Sequence, residues 1–189
     1  NQKAQTEVHF RERWMNIEIS SKNLLFVGAL NSFASTFGEN GNMDKQLYEF
    51  LDVKYGDSLK RFKEGYGYDD ILLIGKDGRI VYTVNKESDW GQNVNADTLK
   101  DTALARCFQK ALAEINFQDF EPYPISGNRY VSFIGAPVMQ RDQVVGVLVF
   151  KNNNTPLNTI VQRREGLGLH SGGSGARRLC EDLDRLCVG

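Results

Sequence analysis

The chain has 189 residues, of which 41% are hydrophobic and 25% are charged, and its formal net charge is -1. This length suits one well-packed domain and is short for two. The balanced charge argues against a nucleic-acid-binding protein, because there is no excess of basic residues to neutralise phosphates.

Apolar segments and metal-binding residue types are both scarce. The longest apolar run, residues 144–150, is far shorter than the roughly 20 residues of a membrane helix. The polar start does not resemble a signal peptide, so a soluble globular piece is expected. Three cysteines and two histidines lack the spacing of a zinc site, and we expect no metal. Cys107 lies in an apolar helical stretch, which predicts a buried, inert thiol.

The N-terminal third is helical by pattern. Apolar residues recur every three or four positions over about residues 6–37 without an intervening proline, which predicts one long helix. At about 1.5 Å per residue it would run on the order of 45 Å. Such a helix must pack on a second copy of itself or on the rest of the domain. After a glycine-rich stretch at 38–42, a second helix is predicted over residues 44–63, with Asp44 as N-cap.

Beyond residue 65 the pattern becomes strand-like. Two apolar runs, 70–75 and 80–85, flank an Asp-Gly turn and predict a hairpin. A helix is predicted near residues 99–115. Three further strands are predicted over residues 117–123, 129–139 and 143–151. This order predicts an α+β domain with a five-stranded antiparallel sheet flanked by helices and a long N-terminal helix.

Several motifs in this order resemble those of a Cache domain, a PAS-like sensor module. Residues 164–168 resemble the segment that leads from the membrane-distal to the membrane-proximal module of double Cache receptors. The resemblance covers roughly residues 55–168. Its motifs lie in the first hairpin, the loop and helix after it, and the closing strands: residues 67–84, 86–93, 104–108, 119–123, 133–139 and 145–150.

The resemblance implies a function and a location. Cache domains lie outside the inner membrane of bacteria, between two transmembrane helices. Most belong to methyl-accepting chemotaxis proteins, others to histidine kinases and diguanylate cyclases. The chain is therefore expected to be the periplasmic sensor of a membrane-anchored chemoreceptor, with both ends cut from a longer protein. The Arg-x-Trp-Tyr motif of amino-acid-sensing members is absent, and Lys151 stands where they carry an aspartate, which argues against an amino-acid ligand.

The chain divides into three expected parts. Residues 1–64 form a helical region with the long signalling or dimerisation helix, and residues 65–168 form the PAS-like Cache module. Residues 169–189 are expected to be a flexible tail, because a Gly-Ser stretch opens them. A fusion remnant, a cloning addition and a genuine partner helix all remain open for this tail, and an artificial origin is favoured.

A sensor needs a pocket with a few polar groups among apolar walls, here under the loop 86–97 and over the central strands. An indole could close such a pocket, tyrosines could supply hydroxyls, and charged side chains could pair with a charged ligand. Each of these residues could instead have a structural role, as a core aromatic or a solvated charge. The candidate ligand-binding residues are Tyr82, Lys86, Trp90, Asp119, Tyr123, Arg129 and Tyr130.

Catalytic motifs are missing, and we expect neither an enzyme nor a cofactor. There is no Gly-x-Ser-x-Gly elbow and no phosphate-binding loop. Asp69 and Asp70 are adjacent, so on a strand they would point to opposite faces and could not act as a pair. The expected partners are a small molecule of unknown class and a second copy through the N-terminal helix. The alternatives are a kinase or cyclase sensor, an interaction module with a vestigial pocket, and an unrecognised enzyme.

Overall fold

The computed structural model describes residues 2–154 and residue 163. Residues Glu12–Asn154 form one compact unit, and the described residues before Glu12 belong to a second unit. The expected tail and the segment resembling a double-Cache connection lie outside the described residues. The helices are α1 (Gln2–Lys22), α2 (Leu24–Ala34), α3 (Lys45–Tyr66) and α4 (Ala103–Ala111); the strands are β1 (Asp70–Gly75), β2 (Ile80–Thr83), β3 (Asn116–Tyr123), β4 (Arg129–Gln140) and β5 (Gln143–Asn153).

The five strands form one antiparallel sheet in the order β2-β1-β5-β4-β3, which confirms the predicted fold class. The central strand β5 pairs with β1 on one side and β4 on the other. Its partners place Lys151 directly opposite Asp70 of β1. The two edges differ: β2 has four residues, and β3 loses register with β4 between Gln118 and Glu121.

The long N-terminal helix is present, but the single helix predicted over residues 6–37 is wrong. Asn23 adopts an extended conformation, with φ -74° and ψ 134°, and separates α1 from α2. Its side-chain oxygen accepts a hydrogen bond from the Leu25 backbone N–H at 2.8 Å. The short amide side chain therefore caps a new helix where the apolar period alone predicts an uninterrupted one.

Helix α3, which is the second helix predicted from the sequence, begins and ends at local capping signals. The Asp44 carboxylate accepts a hydrogen bond from the Leu47 backbone N–H, as expected of an N-cap. Gly67 ends α3 in the left-handed conformation, with φ 74°. This conformation favours glycine because it has no Cβ to clash.

The sheet is covered on both faces. On one, called the helical face, α2, α3 and α1 from Glu12 onward pack on alternate strand residues such as Leu148 and Phe150. On the other, called the α4 face, α4 and the segment between β2 and α4 pack on Val147 and Val149. Because side chains alternate along a strand, Lys151 continues the row of Val147 and Val149 toward the α4 face.

Two further expectations bear on this core. Cys107 on α4 is fully buried, which confirms the predicted burial of its thiol, and burial raises the pKa of that thiol to about 12. No helix among the described residues has both the length and the apolar composition to cross a bilayer.

Candidate functional site

A buried ammonium group is the most unusual feature of the α4 face. Lys151 has no solvent-exposed side-chain surface, and Asp70 and Asp89 are also fully buried. Charged side chains are rarely buried unless paired, because removing them from water is expensive. This end of the sheet is therefore a polar site inside the domain.

The Lys151 ammonium donates hydrogen bonds to two side chains and forms an ion pair with a third. Its Nζ lies 2.9 Å from Glu87 Oε2, 2.9 Å from the Ser126 hydroxyl oxygen and 3.3 Å from Asp69 Oδ2. The Tyr123 ring lies beneath it, with the ring centroid 5.7 Å from Nζ. The Tyr123 hydroxyl in turn donates to Asp89 Oδ2 at 2.8 Å. We call Asp69, Asp70, Glu87, Asp89, Tyr123, Ser126, Arg129 and Lys151 the lysine cluster.

Asp70 joins the cluster and the β1–β2 hairpin. Its Oδ1 accepts hydrogen bonds from the backbone N–H groups of Ile71, Val84 and Asn85 at 2.8 to 3.1 Å. Asp69 lies just before β1 begins, so the alternation of a strand does not apply to it. The prediction that Asp69 and Asp70 face away from each other therefore does not describe the structure, in which both carboxylates interact with Lys151.

The pKa shifts in the cluster follow from burial and mutual attraction. Burial lowers the pKa of Lys151, but the surrounding carboxylates raise it, and the net shift is upward. Burial opposes ionisation of Glu87, yet Lys151 and the Ser126 hydroxyl lower its pKa below the usual value. Burial raises the pKa of Asp70 to about 7 and also raises that of Asp89. The pair of Lys151 and Glu87 is thus the ionic core of the cluster.

The segment after β2, residues 84–102, brings Glu87 to the cluster. Lys86 adopts a positive φ of 52°, and its backbone N–H donates to the Thr83 hydroxyl oxygen at 2.8 Å. A non-glycine residue in this conformation is strained by roughly 1 kcal/mol. The turn directs Lys86 toward Asp52 of α3 and Glu87 toward Lys151 of β5. Lys86 thereby makes its contact on the helical face, and the next residue, Glu87, makes its contact on the α4 face.

The cluster is also connected to α1 through neighbouring residues. Asn152, which follows Lys151, accepts a hydrogen bond from the Arg13 guanidinium. Tyr68, which precedes Asp69, accepts a hydrogen bond at its hydroxyl from the Asn16 amide at 2.6 Å. The Arg13 guanidinium also lies 4.8 Å from the Tyr68 ring centroid.

A second candidate site lies on the helical face, between α3 and β2. A cleft of about 250 Å³ is lined by Asp52, Gly56, Asp57, Lys60, Tyr82, Val84 and Lys86. Close by, the Tyr48 and Trp90 rings lie 5.0 Å apart between centroids. Within the described part of the chain, the buried Tyr48 hydroxyl and Trp90 Nε1 have no hydrogen-bond partner.

The structure divides the seven predicted site residues into groups. Tyr123 and Arg129 belong to the lysine cluster on the α4 face. Tyr82 and Lys86 line the α3 cleft, and Trp90 packs beside it through Tyr48.

Two predicted residues lie elsewhere on the sheet. Asp119 is exposed on the edge strand β3, where its Oδ1 accepts from the Phe120 backbone N–H at 2.7 Å. Tyr130 is half-buried on β4, and the strand alternation places it on the helical face, opposite the cluster. The structure therefore does not bring the seven predicted residues together in one pocket, because they are divided between the two faces of the sheet.

Several cluster residues were not among the predicted site residues, above all Lys151 and Glu87. The apolar alternation of β5 carried a usable signal, because Lys151 falls on the row of Val147 and Val149 and should point inward. An inward lysine requires nearby carboxylates. Nothing local in the sequence identified Glu87 as one of them, since the two residues are 64 positions apart.

Comparisons with known proteins agree on the fold. No protein-family model matches the sequence, and no curated protein matches it. The structure is similar to the sensor domain of the Vibrio cholerae histidine kinase DctB, with 19% identity and a TM-score of 0.56 over 82% of this chain and 54% of that chain. It is also similar to the ligand-binding domain of the amino acid chemoreceptor PctC of Pseudomonas aeruginosa PAO1, solved with GABA, with 11% identity and a TM-score of 0.50 over 83% of this chain and 59% of that chain.

A further match is the periplasmic domain of Vibrio cholerae LuxQ, with 15% identity and a TM-score of 0.48 over 85% of this chain and 64% of that chain. This chain therefore spans between about half and two thirds of the length of these proteins. At this level of identity the DctB and PctC matches establish the fold. This shared fold agrees with the PAS-like fold that the sequence motifs predicted.

Proposed function

We propose that this chain is the periplasmic ligand-sensing domain of a bacterial transmembrane chemoreceptor, which binds a small molecule and relays a helix displacement across the membrane. The observation that carries the proposal is the lysine cluster, buried under the segment after β2 in a fold shared with the DctB and PctC sensor domains. A buried ion cluster is a poor source of stability compared with apolar packing, so its presence favours a functional role.

The contacts of α1 support a route for the signal. Two pairs of adjacent residues, Tyr68 with Asp69 and Lys151 with Asn152, each contribute one residue to the cluster and one to the α1 contacts. A ligand that rearranged the cluster would shift the start of β1 and the end of β5 against α1, as a population shift between two packings. In a homodimer through the N-terminal helix, disulfide cross-linking of cysteines placed within residues 10–33 should change with ligand. Identical cross-linking with and without a bound ligand would exclude this relay.

A thermal-shift screen of the full chain tests ligand sensing. Sets of cationic, anionic, zwitterionic and neutral small molecules are added at matched ionic strength. A sensor ligand should raise the melting temperature in a saturable way, because it binds the native state. Lys151→Met should abolish that response, while Lys100→Met, which alters an exposed pair with Asp97, should keep it. A hit that survives Lys151→Met equally well would place ligand binding outside the cluster.

An interaction module with a vestigial pocket is the second candidate, and one observation favours it. The Lys151 ammonium already donates hydrogen bonds to Glu87 and Ser126 and forms an ion pair with Asp69, so it needs no ligand. A screen without hits, together with measured affinity for a periplasmic protein, would support this candidate over the first.

The choice of a chemoreceptor over a histidine kinase or diguanylate cyclase rests on the sequence resemblance. DctB is a histidine kinase and PctC a chemoreceptor, so the fold is compatible with both. The complete gene decides between them. A methyl-accepting signalling region downstream would support the proposal, and a kinase or cyclase catalytic region would replace it.

A further inference from the structure

Two cations and a hydroxyl group surround the carboxylate of Glu87. Its Oε2 accepts hydrogen bonds from Lys151 Nζ and from the Ser126 hydroxyl, both at 2.9 Å. Its Oε1 lies 3.8 Å from Arg129 Nη2. Two cations and a hydroxyl around one carboxylate form an anion site, and the anion in it belongs to the chain itself. We call Lys151, Ser126 and Arg129 the carboxylate cradle.

The cradle and its occupant differ in accessibility and origin. Lys151 is fully buried and is held by β5 at the centre of the sheet, whereas the Glu87 side chain retains 25% of its exposure. Glu87 comes from the segment after β2 and follows the strained residue Lys86. The occupant could therefore leave toward solvent without movement of any central strand. A carboxylate that entered from outside would replace one negative charge by another, so the charge balance around Lys151 would be kept.

We propose that Glu87 is an internal ligand of the sensor, whose carboxylate fills the cradle and must be displaced by a small external carboxylate. The identity of the external ligand rests on the proposed sensing function; the occupancy of the cradle by Glu87 does not. Displacement has a structural consequence, because Lys86 and Trp90 in the same segment contact Asp52 and Tyr48 of α3. Glu87 is thus a positioning residue that ties the state of the cradle to α3.

Chemical rescue tests the proposal on the full chain. Glu87→Ala removes the internal carboxylate and should lower the melting temperature by about 5 °C, because Lys151 and Arg129 lose a partner. Acetate or propionate should then recover about half of this loss in a saturable, millimolar-range titration. Sodium chloride at the same ionic strength should not. The wild-type protein should respond to neither acid, since Glu87 has a high effective concentration in the cradle.

Two further variants keep the test decisive. Glu87→Gln retains the shape but not the charge, so it should lose stability and show little acetate rescue. Glu87→Ala combined with Lys151→Met should show no rescue, with folding checked by far-ultraviolet circular dichroism. A folded Glu87→Ala protein without acetate-specific rescue would overturn the proposal, as would equal stabilisation of the wild type. Successful rescue alongside a failed ligand screen would retain the internal-ligand assignment and reject the sensing function.

Discussion

Replacing Lys151 by methionine should destabilise the protein more than any other single change of charge in the cluster. Methionine has a similar length but leaves Glu87, Asp69 and Asp70 without the cation they share. Breaking a buried ion pair from one side costs about 3–5 kcal/mol, because the remaining charge stays buried and unpaired. For a chain of this size about 1 kcal/mol corresponds to roughly 2–4 °C, so the melting temperature should fall by about 10 °C.

The assay is urea unfolding of the wild type and of Lys151→Met at pH 8 and at pH 5, with circular dichroism as the readout. Lys151 lowers the pKa values of Glu87, Asp70 and Asp89, so without the ammonium group these pKa values should rise in the folded state. Such groups stabilise the fold at low pH, and that contribution is lost as the pH rises through their folded pKa. The deficit of the variant should therefore be smaller at pH 5 than at pH 8. A deficit below about 1 kcal/mol, or one equal at both pH values, would refute the role assigned to the ammonium.

Three other measurements probe the remaining contacts. Burial raises the pKa of Asp70 to about 7, so the fold loses stability as the pH rises from about 4 to 7, because the unfolded state releases the Asp70 proton before the folded state does. The free energy of unfolding of the wild type should therefore increase relative to that of Asp70→Asn as the pH falls through this window, and an equal pH dependence of the two in urea unfolding would contradict this. Gly146→Ala would place a Cβ 2.3 Å from a backbone carbonyl oxygen and should cost about 3 kcal/mol in urea unfolding, whereas Gly65→Ala, with nothing within 4 Å, should be neutral or stabilising. The half-exposed pair of Lys86 with Asp52 should couple by only about 0.5 kcal/mol in a double-mutant cycle, and a coupling above about 2 kcal/mol would show a stronger contact between the segment and α3.

Local signals explain why most of the fold was predictable. The β1–β2 hairpin, the Asp44 cap and the three closing strands depend on turn residues and alternation within short stretches, and the structure confirms them. The break at Asn23 was missed because apolar residues continue with helical spacing on both sides. Asparagine is a residue type that often caps helices, but only the backbone conformation shows that Asn23 caps α2.

The candidate site was less predictable, for a different physical reason. Residue type along the loop and strands does not show which face of the sheet a side chain occupies, and Tyr82 and Tyr123 lie on opposite faces. The lysine cluster depends on residues far apart in sequence that meet only when β1, β5 and the segment after β2 assemble. Alternation predicts that Lys151 points inward, but the identity of its partners is a property of the tertiary structure.

The irregular edge strand β3 has a consequence for association. Unpaired strand edges invite pairing with other chains, and natural sheets block them with bulges, prolines and charges. Here the register break beside Asp119 bends the edge, Pro122 lacks a donor, and Glu121 is paired with Arg106 of α4. At the opposite edge, β2 is four residues long. Neither edge is therefore a good template for the addition of a strand from another chain.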